Sequence, residues 1–111
     1  MEFHTRKEGT ISIISVTGRL DAVTTPEYES KITQLVQGGD HRLVIDFEKL
    51  GYISSAGLRG LLVTAKLIKS KSGDVCFANV TGPVKEVFAI SGFQSMFKMH
   101  DSVAAAVSSL A

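Results

Sequence analysis

The residues most able to do chemistry fall in one stretch: Asp46-Phe47-Glu48-Lys49-Leu50-Gly51-Tyr52-Ile53-Ser54-Ser55-Ala56-Gly57-Leu58-Arg59. Two adjacent hydroxyls, followed by small residues and an arginine, precede a long segment of helical apolar spacing. Serine in that position caps a helix, its oxygen accepting from N–H groups that the first turn leaves free. Ser54 and Ser55 both fit that role. The start of a helix is also an electropositive place for an anion. A loop that leaves a parallel strand for a helix lies where α/β proteins place their sites. From the pattern alone, the serines need only cap, Gly57 need only permit close packing, and Arg59 need only be solvated.

Other chemistries find less support. The chain has no phosphate-cradling glycine loop with its lysine, no dinucleotide fingerprint and no nucleophile elbow. His4, His41 and His100 are dispersed and the sole cysteine is Cys76, so neither a metal site nor a cofactor is expected. Cys76 stands in an apolar run and reads as an inert core thiol. Phe88, Phe93, Met96, Phe97 and Met99 read as core filling. No base marks either serine as activated. A small hydrolase using Ser54 or Ser55 with a distant histidine is therefore a minor alternative to a non-enzymatic role, as is a weak nucleotide-binding module at the helix start.

The totals narrow the class. One domain spanning 1–111 is expected from 111 residues. Twelve Lys and Arg against eleven Asp and Glu give a net charge of +1, without the basic excess of a nucleic-acid binder. No apolar run is long enough for a membrane span, and the first residues lack a signal-peptide core. A lone cysteine suits a reducing compartment, so a cytoplasmic location is expected.

Periodicity supplies the elements that must position the serine loop. Residues 2–8 and 10–17 read as strands joined at Glu8-Gly9. In the second strand the apolar phase shifts from Ile11 and Ile13 to Ile14 and Val16, which calls for a bulge or for burial of both faces. A helix is expected from near Thr25, capped by Thr25, with Pro26 at its first position and an end at Gly38-Gly39. Leu43 to Phe47 reads as a central strand. Residues 55–71 read as a helix whose face carries Leu58, Leu61, Leu62, Ala65 and Ile68, with Lys66, Lys69 and Lys71 toward its C-terminal end. Val75 to Ala78 reads as another inner strand, Pro83 to Ile90 as a short helix, Met96 to Met99 as a short strand, and the residues after Asp101 or Ser102 as a last helix. The order predicts a single α/β domain with a mixed, mostly parallel sheet of about five strands and helices mainly on one face.

The serine stretch resembles the signature loop of STAS domains, particularly the bacterial anti-sigma factor antagonists. Asp46-Phe47 matches the family's strand end, Tyr52-Ile53 its aromatic–aliphatic pair, and Ser55-Ala56-Gly57-Leu58 its helix start. Gly18-Arg19-Leu20-Asp21 is similar to the sequence that precedes the family's first helix. The resemblance covers roughly residues 2–110. It implies that Ser55 is the serine phosphorylated by an ATP-dependent anti-sigma factor kinase, and that a serine phosphatase resets it. The unphosphorylated form would bind the kinase and free the sigma factor, while phosphorylation would release the complex. Asp21, Ser54, Ser55, Ala56, Gly57, Leu58 and Arg59 are then the expected partner-binding residues, with no direct contact to nucleic acid or membrane. Ser54 stands where the family often has aspartate. The same resemblance admits another role, as a STAS subunit or scaffold of a transport or sensory assembly.

Overall fold

A computed structural model describes all residues 1–111. Strands β1 (Glu2–Glu8) and β2 (Ile11–Leu20) form an antiparallel hairpin, and helix α1 (Thr25–Gln37) follows. Strand β3 (Arg42–Asp46), strand β4 (Leu50–Ile53) and helix α2 (Ser55–Ser70) come next. Strand β5 (Asp74–Ala78), helix α3 (Gly82–Ser91), a 3₁₀ turn at Phe93–Ser95, strand β6 (Lys98–His100) and helix α4 (Val103–Leu110) complete the chain. The sheet runs β1-β2-β3-β5-β6, parallel except for the β1–β2 pair, and β4 pairs in parallel with the far end of β2.

Strand pleating sorts the core into two layers, because successive side chains point to opposite faces. Ile14, Val16, Leu20, Leu43, Ile45, Val75 and Phe77 pack under α1, α2 and α3. Ile11, Ile13, Val44, Cys76 and Ala78 meet Ala106 and Leu110 of α4 on the other side. The apolar phase shift in β2 thus reflects burial of both faces, and three of the four helices do share one face. Phe77 anchors the larger layer, with ring centroids 5.6 Å from Phe47, 6.3 Å from Phe88 and 5.0 Å from Phe97. Such tilted and edge-on pairs add about 1 kcal/mol each beyond simple burial.

Three local expectations are corrected. The sheet has six strands, because Leu50–Ile53, expected as loop, pairs with Gly18, Arg19 and Leu20 of β2. Helix α1 is preceded by Thr24 at its N-cap; Thr25 is buried in the first turn and donates its hydroxyl to the Asp21 carbonyl at 2.5 Å. Met96 is not core but 56% exposed, in the turn before β6, while Phe88, Phe93, Phe97 and Met99 pack on the core.

Candidate functional site

Two parallel segments end side by side. Leu20 of β2 pairs with Ile53 of β4, and the Ser54 N–H donates to the Leu20 carbonyl at 2.9 Å. The chain then leaves both strands at once, through Asp21 toward α1 and through Ser54 into α2.

Each exit is held by side-chain hydrogen bonds, and that into α2 by a helix cap. The Ser54 backbone is extended, and its Oγ accepts from the Gly57 N–H at 3.2 Å. Ser54 is therefore the cap and Ser55 the first residue of the helix, which resolves the choice that the sequence leaves open. At the other exit, Asp21 Oδ1 accepts from the N–H groups of Val23 at 3.0 Å and Thr24 at 3.1 Å. The Thr24 hydroxyl donates to the Arg19 carbonyl at 2.7 Å and accepts from the Asp21 N–H at 3.0 Å. The Thr24 N–H, followed by the one from Val23, the Thr24 hydroxyl and the Arg19 charge, holds the Asp21 carboxyl below the ordinary aspartate range, against a smaller opposing effect of desolvation.

Glycine lets the helix approach. A Cβ on Gly57 would stand 2.6 Å from the Leu20 carbonyl oxygen and 2.8 Å from Ile53 Cγ1. Only a residue without a side chain lets the first turn of α2 rest on the strand ends. Gly57 and Leu58 are buried, so they position the helix start; Leu58 faces the core with Leu61, Ala65 and Ile68. Ser55 and Arg59, one turn apart, are exposed, and Ala56 is half-buried. The Ser55 hydroxyl is thus open to solvent beside a helix start whose first N–H groups have no intrahelical acceptor.

The structure adds residues that the sequence reading did not count among the partner-binding ones. A bulge at Gly51, opposite Gly18 with its φ of +114°, brings Arg19 into register with Tyr52. The Arg19 guanidinium lies 4.2 Å from the centre of the Tyr52 ring, and its Nε is 3.8 Å from Asp21 Oδ2. Tyr52 is 38% exposed, and Val23, in the loop after Asp21, is 81% exposed. Val23 sits outside the apolar spacing of α1, and that misfit is the one trace in the sequence of its outward position.

These groups lie together at the surface around the start of α2. No hydrogen bond joins Ser54 or Ser55 to a histidine: His41 Nε2 lies 3.2 Å from the Val36 carbonyl, and His100 Nε2 is buried without a partner. No group of three or more His, Cys, Asp or Glu side chains is placed to hold a metal ion, and no helix is long and apolar enough to cross a membrane. Burial pushes the Cys76 thiol up from its ordinary value.

Known proteins share both sequence and shape with this chain. The family model described as "STAS domain" matches residues 2–106. BtrV of Bordetella bronchiseptica, provisionally described as an anti-sigma factor antagonist, is 36% identical over 94 residues, 85% of this chain and 81% of that protein. A crystal structure from Thermotoga maritima with the same provisional description superposes with a TM-score of 0.91 at 15% identity, covering 97% of this chain and 93% of that one. SpoIIAA of Bacillus, an anti-sigma factor antagonist, has been solved in unphosphorylated and phosphorylated forms. Its unphosphorylated form gives a TM-score of 0.72 at 21% identity, covering 94% of this chain and 92% of that one.

Proposed function

The chain belongs to the STAS domain family, and from that premise we propose that it is an anti-sigma factor antagonist that switches partners through phosphorylation of Ser55. The unphosphorylated surface around Ser55 binds an anti-sigma factor that is an ATP-dependent serine kinase, which frees the sigma factor. Phosphate on Ser55 ends the complex, and a serine phosphatase restores it. The protein itself performs no catalysis.

The observation that carries this reading is the exposed Ser55 at the first position of α2, next to a different serine that does the capping. The division of labour leaves the Ser55 hydroxyl free for modification while Ser54 holds the helix. The likeness to BtrV supports the regulatory class, and SpoIIAA shows that a protein of this fold exists with phosphate attached.

Electrostatics make such a switch local. A phosphate adds about 1.5 to 2 negative charges near neutral pH. At the start of α2 it meets free N–H groups, the positive end of the helix dipole and the Arg59 side chain, so the fold accommodates it. A docked partner does not. A double charge about 5 Å from a partner carboxylate costs up to roughly 6 kcal/mol at an effective dielectric near 20. Even about 4 kcal/mol weakens binding on the order of a thousandfold.

Calorimetric titration of the cognate anti-sigma factor with wild-type protein and with Ser55→Asp tests the proposal. Wild type binds, and Ser55→Asp binds at least tenfold more weakly. Equal affinities would remove charge at residue 55 as the release signal.

A further inference from the structure

A second surface lies toward the other end of α2. A groove of about 310 Å³ opens between the C-terminal half of that helix, β5 and the turn before β6. Its floor is apolar: Leu62, Ala65, Val75, Met96 and Phe97. Its rim is basic, with Lys66, Lys69 and Lys98. The one carboxylate there, Asp74, already pairs with Lys98 at 2.5 Å, whereas Lys66 and Lys69 have no carboxylate within ion-pair distance.

We propose that this groove docks an acidic, amphipathic segment of a protein partner, with a large apolar side chain on Met96 and Phe97 and carboxylates on Lys66 and Lys69. Three observations favour that occupant. Met96 is a long apolar side chain left 56% exposed beside half-buried Phe97, and flexible methionines suit surfaces that adapt to a partner. The volume is at the lower end for a pocket that encloses a small molecule, yet it suffices for an anchoring side chain of the kind that dominates interface energetics. The two unpaired lysines, three residues apart on one helix face, leave a positive rim that only an acidic partner complements. Lys69 lies fourteen residues beyond Ser55, about 20 Å along the helix. The two surfaces are therefore separate, and the groove stands whether or not Ser55 is phosphorylated.

The test is amide NMR of the isotopically labelled chain, titrated with a short peptide alternating glutamate with leucine and phenylalanine. A counterpart with lysine in place of glutamate serves as the control. The expected result is chemical-shift change centred on Lys66, Lys69 and Phe97 with the acidic peptide alone. Lys66→Glu combined with Lys69→Glu weakens binding at least tenfold, and Met96→Ser weakens it several-fold; the unliganded spectra report that each variant is folded. Equal binding of both peptides, undiminished binding by the lysine double variant, or shifts centred elsewhere overturn the proposal. So would the same shifts appearing with decanoate but not with the peptide, which would make the groove a lipid site, or with increasing concentration of the chain alone, which would make it a contact between copies.

Discussion

Replacing Gly57 by alanine sets two opposing effects against each other. Alanine is the better helix former, by about 1 kcal/mol in a helix interior and by less in a first turn. The new methyl, however, would stand 2.6 Å from the Leu20 carbonyl oxygen and 2.8 Å from Ile53 Cγ1, where ordinary contacts need at least about 3.5 Å. The Ile53 side chain has some freedom, but the Leu20 oxygen belongs to a paired backbone and also accepts from the Ser54 N–H. Relief therefore requires the start of α2 to lift by several tenths of an ångström, stretching that hydrogen bond and displacing Ser55. Overpacking of this kind costs about 1 to 3 kcal/mol, and losing most of one hydrogen bond adds about 1 kcal/mol. The net expectation for Gly57→Ala is a loss of about 1 to 3 kcal/mol, or roughly 5 to 15 °C in Tm for a domain of this size. Urea unfolding followed by circular dichroism measures it. A variant as stable as wild type would refute the close approach of α2 to the strand ends, and with it the way Ser55 is placed.

Further predictions follow from single contacts. Ser54→Ala removes the acceptor for the Gly57 N–H and should cost about 1 kcal/mol in urea unfolding, whereas Ser55→Ala, at an exposed position, should change stability by less than about 0.5 kcal/mol. Burial raises the Tyr28 hydroxyl far above its ordinary value, with the Thr64 hydrogen bond opposing only in part. Above about pH 10 the unfolded chain sheds this proton while the folded one keeps it, so stability falls as pH rises further. In Tyr52→Phe, which leaves Tyr28 as the sole tyrosine, phenolate absorbance should appear only together with alkaline unfolding. The Asp21 carboxyl should titrate below an unstructured aspartate in an NMR pH series and move upward in Thr24→Ala, which deletes one of its hydrogen bonds; its contribution to stability is present above the ordinary aspartate value and disappears as pH falls through the lowered one. The Cys76 thiol, buried between β5 and α4, should react with a disulfide reagent only at the rate of unfolding.

Long periodic segments were readable from the sequence, and their partners across the sheet were not. Tyr28, Ile32 and Val36 in α1, and Leu58, Leu61, Ala65 and Ile68 in α2, announce each buried face by helical spacing, although Leu35 and Leu62, which fit the same spacing, are only half-buried. Strand β4 gives no comparable signal. Its four residues include Gly51, and it exists only because Gly18 to Leu20 of a distant strand offers it a parallel edge. The placement of α4 on the opposite face was implicit in the double burial of β2, but which helix covers which face is decided in three dimensions. At the site, the motif marked the serine pair, yet only the extended backbone of Ser54 separates the capping hydroxyl from the exposed one. The Arg19–Tyr52 stack depends on the bulge at Gly51, so it is not visible as a sequence pattern.

The most direct measurement is phosphosite mapping. The purified chain is incubated with the cognate anti-sigma factor, ATP and magnesium, and peptides spanning Gly51 to Arg59 are sequenced by tandem mass spectrometry. The account predicts one phosphate per chain, on Ser55, retained in Ser54→Ala and absent in Ser55→Ala. Phosphate on Ser54, or undiminished incorporation into Ser55→Ala, would contradict it.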